Sequence, residues 1–220
     1  MDLQVLWAAA PLFAQAGALT LRVAAIGIVL SIIVGLICAT VRHMHIPVAR
    51  QIAGVYIELS RNTPLIVQLV FLYYGLPKIG ITLSGEMCAI VGLAFLGGSY
   101  MAEAFRSGLE SVPHSQYESG LALGLSRVQV LRKILLPQAF VTAIPALTAN
   151  IIFLIKETSV VSIIALPDLV YRAKELMGVG YHTNEAMVLL VVFYFIILIP
   201  VAIIARIVER KTRAYVGINE

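Results

Sequence analysis

Three stretches of this chain, Val23–Val41, Leu135–Ile155 and Ala186–Ala205, contain no charged residue. Each is on the order of 20 residues long, which as helix matches a hydrocarbon core of about 30 Å. A buried helix of a soluble domain would explain one such run, but three in a 220-residue chain exceed what one soluble core holds. The composition agrees. Charged residues make up 13% and hydrophobic ones 60%, against roughly 25% charged in a soluble domain. The chain cannot cover itself with charge, so much of its surface must face an apolar medium.

Two shorter uncharged runs, Thr63–Pro77 and Met87–Ala102, become long enough to span if their bounding charges lie in the protein interior. The first then begins near Gln51 and carries Glu58 and Arg61. This predicts an all-α membrane protein of five transmembrane helices in a single domain, residues 1–220, with spans at about 17–41, 51–76, 86–106, 137–157 and 184–207. No cleavable signal peptide is expected, because Asp2 stands where a basic region would. Met1–Gln15, with Trp7, reads as a helix lying at the interface. Cys38 and Cys88 fall inside spans and read as small apolar packers.

The basic residues orient the bundle. Arg42, Arg50, Arg106, Arg127, Arg132, Lys133, Arg206, Arg210, Lys211 and Arg213 fall on one side. Only Lys78, Arg172 and Lys174 fall on the other. The positive-inside rule makes the first side cytoplasmic, with the N-terminus outside and the C-terminus inside. The net charge of +4 then follows from topology, and no nucleic-acid partner is implied.

The cytoplasmic loop at about 111–136 is longer and more apolar than a simple connector. Ser115 with Glu118, and Ser126 with Gln129, are capping-box pairs. Gly124 stands where a left-handed helix terminator belongs. Val128, Leu131, Ile134 and Leu135 line one side of the second helix, and Pro137 opens the next span. Such a helix–glycine–helix elbow serves either as a knob for a partner's groove or as a connector packed on its own bundle.

Glu118-Ser119-Gly120, three residues, Gly124, nine residues and Ile134-Leu-Leu-Pro137 resemble the E-A-A-x3-G-x9-I-x-L-P loop of ABC importer permeases. Ser119 and Gly120 replace the two alanines. Tyr56-Ile-Glu-Leu-Ser-Arg61-Asn-Thr-Pro64-Leu is similar to the Y-x-E-x-x-R-G-T-P-L segment of the polar amino-acid subfamily. Ser99-Tyr-Met-Ala-Glu103-Ala-Phe-Arg106-Ser-Gly108 and Lys156-Glu-Thr-Ser159 are similar to its A-Y-x-A-E-x-x-R-x-G and K-D-T-S segments. The resemblance runs in order from about Leu19 to Arg210. It implies the type I ABC importer permease fold with cytoplasmic coupling helices, in a bacterial inner membrane. It further implies an ATPase dimer, a second permease subunit, and an extracytoplasmic amino-acid-binding protein. ATP and magnesium would sit on the ATPase, with no cofactor in this chain. Tyr117, Glu118, Ser119, Gly120, Leu123, Gly124, Leu125 and Ser126 would form the coupling contact.

No G-x-x-x-x-G-K-[ST] occurs, so nucleotide phosphates are not cradled by that device. The four histidines, His43, His45, His114 and His182, fall in predicted loops, and no catalytic constellation is apparent. This weakens the reading as an intramembrane enzyme. Five spans without inverted halves weaken the alternative of a stand-alone channel or secondary amino-acid transporter. A zwitterionic substrate needs an acid for its ammonium and donors for its carboxylate. Glu157 offers the acid, and Thr158 and Ser159 the donors. Lys156 serves the substrate or a helix C-terminus. Gly98, Ser99 and Tyr100 are further candidates, although Gly97-Gly98 also suits close helix packing. Glu103 either neutralises a cationic substrate or pairs with Arg106, and Glu58 with Arg61 reads as a structural pair.

Overall fold

The computed structural model describes residues 1–215, with Gly180 and residues 213–215 described by backbone alone, so the side chain of the predicted tail residue Arg213 lies outside the described residues. The chain forms α1 (Leu3–His43), α2 (Pro47–Asn62), α3 (Leu65–Val70), α4 (Gly85–Ser111), α5 (His114–Ala122), α6 (Arg127–Val130), α7 (Leu136–Glu157), α8 (Leu169–Gly180) and α9 (Thr183–Tyr215). A π turn and a 3₁₀ turn prolong α3 to Ile79, and a π turn at Leu131–Leu135 joins α6 to α7. No strand occurs among the described residues. Leu3–His43, Gly85–Ser111, Arg127–Ile164 and Thr183–Thr212 are long and apolar enough to cross a membrane, and Leu65–Ile79 is a shorter apolar helix.

Helices α1 and α4 are the spine of the bundle. A stripe of small residues, including Ala24, Gly27, Ser31, Gly35 and Ala39, is buried along α1. A Cβ at Gly27 would lie 2.9 Å from the Leu93 Cβ, and one at Gly35 2.5 Å from the Met101 Cβ. In an apolar medium the hydrophobic effect does not hold helices together, so close backbone approach and dispersion take its place. Helix α7 runs back along α4 on the same terms, with Gly108 against Ala139 and Ala143. A second cluster joins Phe13 and Ala24 of α1 to Leu169 of α8 and Ile197 of α9.

Three expectations change. Met1–Gln15 is not a separate interfacial helix but the first part of the 41-residue α1. Nothing before His43 breaks the chain, and Phe13, Ala16 and Gly17 are buried in the α8–α9 cluster. The main-chain N–H of Asp2 also ties the start of α1 to Glu185 at 2.6 Å. The second predicted span is broken at Thr63–Pro64, where Thr63 is extended (φ −113°, ψ 121°) because a residue before proline avoids helical geometry. The Gln68 amide donates to the Ser60 and Thr63 carbonyls at 3.3 and 3.0 Å, so the break leaves those acceptors satisfied. Finally, Ser115 and Glu118 form no capping box. Pro113 occupies the N-cap of α5, since its fixed φ starts a helix without a donor, and Glu118 lies 3.2 Å from the His114 imidazole instead.

Candidate functional site

The break in α2 lays a polar patch against the middle of α4 and α7. The Arg61 guanidinium stacks over the Tyr100 ring, 5.3 Å from its centroid. Tyr100 packs on Phe153 at 5.2 Å, and the Asn150 amide donates to the Tyr100 carbonyl at 3.2 Å. The predicted Glu58–Arg61 pair does not form among the described residues. The side chain of Arg61 is exposed and aromatic-stacked instead. An ion-pair-free guanidinium at helix depth is costly unless it serves something. The chain presents here one donor-rich cation on an aromatic ring. About one turn beyond Phe153, α7 ends on the exposed Lys156 and the half-buried Glu157, a cation and an acid.

Of the other predicted binding residues, Ser99, Thr158 and Glu103 have their side-chain polar atoms engaged in the fold. Gly97 and Gly98 are packing positions, and a Cβ on Gly98 would meet the Tyr56 hydroxyl at 2.5 Å and Val34 at 2.8 Å. Ser99 is fully buried, donates to the Leu96 carbonyl at 2.7 Å and accepts from Ser60 at 3.0 Å. Thr158 is fully buried and donates to the Ile155 carbonyl at 2.6 Å. The Ser159 carbonyl accepts from Ser162 at 3.3 Å, while its side chain is half-buried. Glu103 accepts from both Arg42 and Arg106 at 2.9 Å. Asn150 and Arg61 were not singled out for binding by sequence reasoning. Their signal was a polar side chain in an otherwise apolar stretch, which does not say which face it takes.

The elbow forms the second feature. The Leu125 N–H donates to Gly120 and the Gly124 N–H to Leu121, closing α5 in a Schellman motif. Gly124 supplies the required left-handed residue at φ +79°. Ser126 and Gln129 form both halves of the capping box that opens α6. Gly120 is buried beneath Val130 and Ile134, and a Cβ there would come within 2.8 and 3.0 Å of them. Leu125 packs on the main core, whereas Leu123 projects with 80% of its surface exposed. Glu118, Ser119 and Ser126 are also exposed and Tyr117 is half-buried. A cavity of about 550 Å³ separates the elbow from the ends of α1 and α4, lined by His43, Glu110, His114, Tyr117, Arg127 and Leu131 among others.

Comparison with known proteins gives one consistent picture. The chain is 36% identical to the probable glutamine ABC transporter permease protein GlnP of Bacillus subtilis over 86% of its length and 88% of that protein's. It is 31% identical to the glutamine transport system permease protein GlnP of Escherichia coli K12, covering 96% and 98% of the two chains. A solved structure described as an amino acid ABC transporter with histidines superposes with a TM-score of 0.88 at 28% identity, covering 96% of this chain and 99% of that one. The MetNI methionine ABC transporter, at 22% identity and a TM-score of 0.74, shares the fold. Residues 7–214 match the family described as binding-protein-dependent transport system inner membrane component, and the chain belongs to that family.

Proposed function

We propose that this chain is the permease subunit of an ATP-driven importer that carries a polar amino acid into the cytoplasm by alternating access. The observation that carries the reading is end-to-end likeness to amino-acid permease subunits, 31% identical across 96% of the chain. On this reading the chain crosses the membrane five times, the second crossing being the broken α2–α3 pair, with spans near 17–41, 51–76, 86–106, 137–157 and 184–207. The N-terminus is outside and the C-terminus cytoplasmic, in keeping with the basic residues on that side. Two permease subunits enclose the path. An ATPase dimer holding ATP and magnesium grips the elbow at 111–136, and an extracytoplasmic binding protein delivers the substrate.

The elbow suits a mechanical handle. Caps on both sides of its central turn and the buried Gly120 fix its shape, while Leu123 and Glu118 stay exposed for a partner. For the substrate, Glu157 takes the ammonium and Arg61, held over the Tyr100 ring, takes the carboxylate. Lys156 and Ser159 border the path. Gly98, Ser99 and Thr158 shape it from within the packing, and Glu103 braces Arg42 and Arg106. The test is reconstitution of the chain with its ATPase and binding protein, scanning amino acids for stimulation of ATP hydrolysis. Stimulation by a polar amino acid is expected. Uptake by the purified chain alone, driven by an ion gradient, would overturn the proposal.

A further inference from the structure

We propose that α8 is a lid over the end of the bundle where α7 stops and α9 begins, and that the carboxyl of Asp168 is its latch, holding while that group is neutral and letting go when it ionises. Helix α8 is joined to the chain at both ends by strained residues. Ala165 (φ 54°) precedes it and Tyr181 (φ 55°) follows it. Both are left-handed, a conformation that carries a steric cost in a residue with a Cβ, and such residues gather at switch segments. Movement of α8 as a unit would relieve both joints. Packing holds it down, with Leu169 and Ala173 buried in one cluster with Phe13 and Ala16 of α1 and Ile197 of α9.

Asp168 caps α8, its Oδ1 accepting from the Tyr171 N–H at 2.8 Å. The residue is fully buried, and its Oδ2 has no hydrogen-bond partner among the described residues. The surroundings do not balance an anion there. On α9 the facing ionisable group is Tyr194, whose hydroxyl is also buried without a partner, and Glu185 is held by the Asp2 N–H. The 3₁₀ turn Thr158–Ile164 contains no charged residue, and neither does α1 from Leu3 to Leu21. On α8 itself Arg172 is paired with Glu175 at 2.6 Å. Lys174, a cation that bears on the carboxyl, is exposed and donates to the Ser162 hydroxyl at 3.1 Å. A carboxylate with one bare buried oxygen is the costly form, and burial pushes the group up to about 6.

That value lies above the roughly 3.9 of a solvated aspartate. The latch is therefore at full strength below pH 4 and is lost as pH rises through about 6. Between pH 5 and pH 7.5 this linkage lowers the closing equilibrium about tenfold. The 3₁₀ turn that Lys174 ties to α8 begins directly after Glu157, so release of α8 would bare the end of α7. That substrate arrives at this end rests on the transport reading; the latch does not.

The test is hydrogen exchange of the chain in complex with its ATPase, in nanodiscs at pH 5 and pH 7.5, with rates corrected for the intrinsic pH dependence of amide exchange. Peptides from α8 should lose about tenfold in protection at pH 7.5, while those from α4 should not change. Asp168→Asn keeps a cap acceptor but cannot ionise, and should hold the low-pH protection at both values. Glu175→Gln removes an exposed acid from the same helix and should keep the tenfold response. Equal protection of α8 at both pH values in the parent overturns the latch. A full response persisting in Asp168→Asn places the titrating group elsewhere and also overturns it. Protection lost together from α1, α8 and α9 would be unfolding of the bundle and would overturn the lid. Exchange reads no transport, so a failed latch leaves the transport reading standing, and failed uptake leaves the latch.

Discussion

Gly124 carries a burden that no other residue type meets cheaply. Its φ of +79° closes the turn between the two elbow helices, and its N–H is spent on Leu121. Proline has neither the dihedral nor the donor, so Gly124→Pro should deform the elbow. ATP hydrolysis by the assembled complex should then lose its link to uptake while the bundle still folds, which paired ATPase and transport assays on one preparation would read. Arg61 and Glu157 make the complementary case at the proposed substrate site. Arg61→Gln and Glu157→Gln should each weaken amino-acid binding on the order of tenfold, the worth of a charge-assisted hydrogen bond. Subunit assembly should be unaffected, and direct titration of the purified complex would show both. Asp168 responds to pH in the physiological range. Burial pushes its carboxyl up to about 6, offset only in part by the hydrogen bonds it accepts at the start of α8. Its folded value lies above the roughly 3.9 of an unfolded aspartate. Its contribution is therefore full below that value and lost as pH rises through about 6. The slope is at most about 1.4 kcal/mol per pH unit. Asp168→Asn keeps an N-cap acceptor, and its thermal midpoint should not fall between pH 4 and 7 as the parent's does.

At the scale of elements, the break between α2 and α3 shows how a membrane protein interrupts a helix. Pro64 stops it, Thr63 turns extended, and the Thr63 hydroxyl and Asn62 amide return to carbonyls one turn back at 2.8 Å. Gln68 then crosses the gap to two more carbonyls. Gln68→Leu should strand those acceptors where no water replaces the amide, costing about 1–3 kcal/mol in a detergent unfolding assay. The elements that the sequence made legible were those built from near neighbours. The Gly124 stop and the Ser126–Gln129 box need only residues a few positions apart, and both form. The Ser115–Glu118 pair was equally local yet yields to Pro113, whose fixed φ starts α5 two residues earlier than Ser115 would. The continuity of α1 was not legible, because what holds Phe13 and Gly17 in the helix is packing against residues some 150 positions or more away, Leu169 among them.

For the whole molecule, orientation is the most direct check. Leu3→Cys should react with an impermeant maleimide in intact cells, and Lys211→Cys only after permeabilisation. The native Cys38 and Cys88 are half-buried and buried within spans and give little background. The reverse pattern would invert the topology and place the elbow out of reach of any cytosolic ATPase. The sequence by itself determined that the chain lives in a bilayer, how many apolar runs it has, how its charges are spaced along the chain and where the elbow lies. Those properties follow from sums over local residues, namely hydrophobicity per span, charge per loop and cap residues at fixed short spacing. The tertiary structure decided which polar groups are free to act. It spent Ser99 and Thr158 on main-chain carbonyls and Glu103 on two arginines. It left Arg61 on the face of Tyr100 and Arg50 exposed beside the cavity it lines with Arg42. A side chain's availability depends on partners from other helices, and no count along one chain segment contains them.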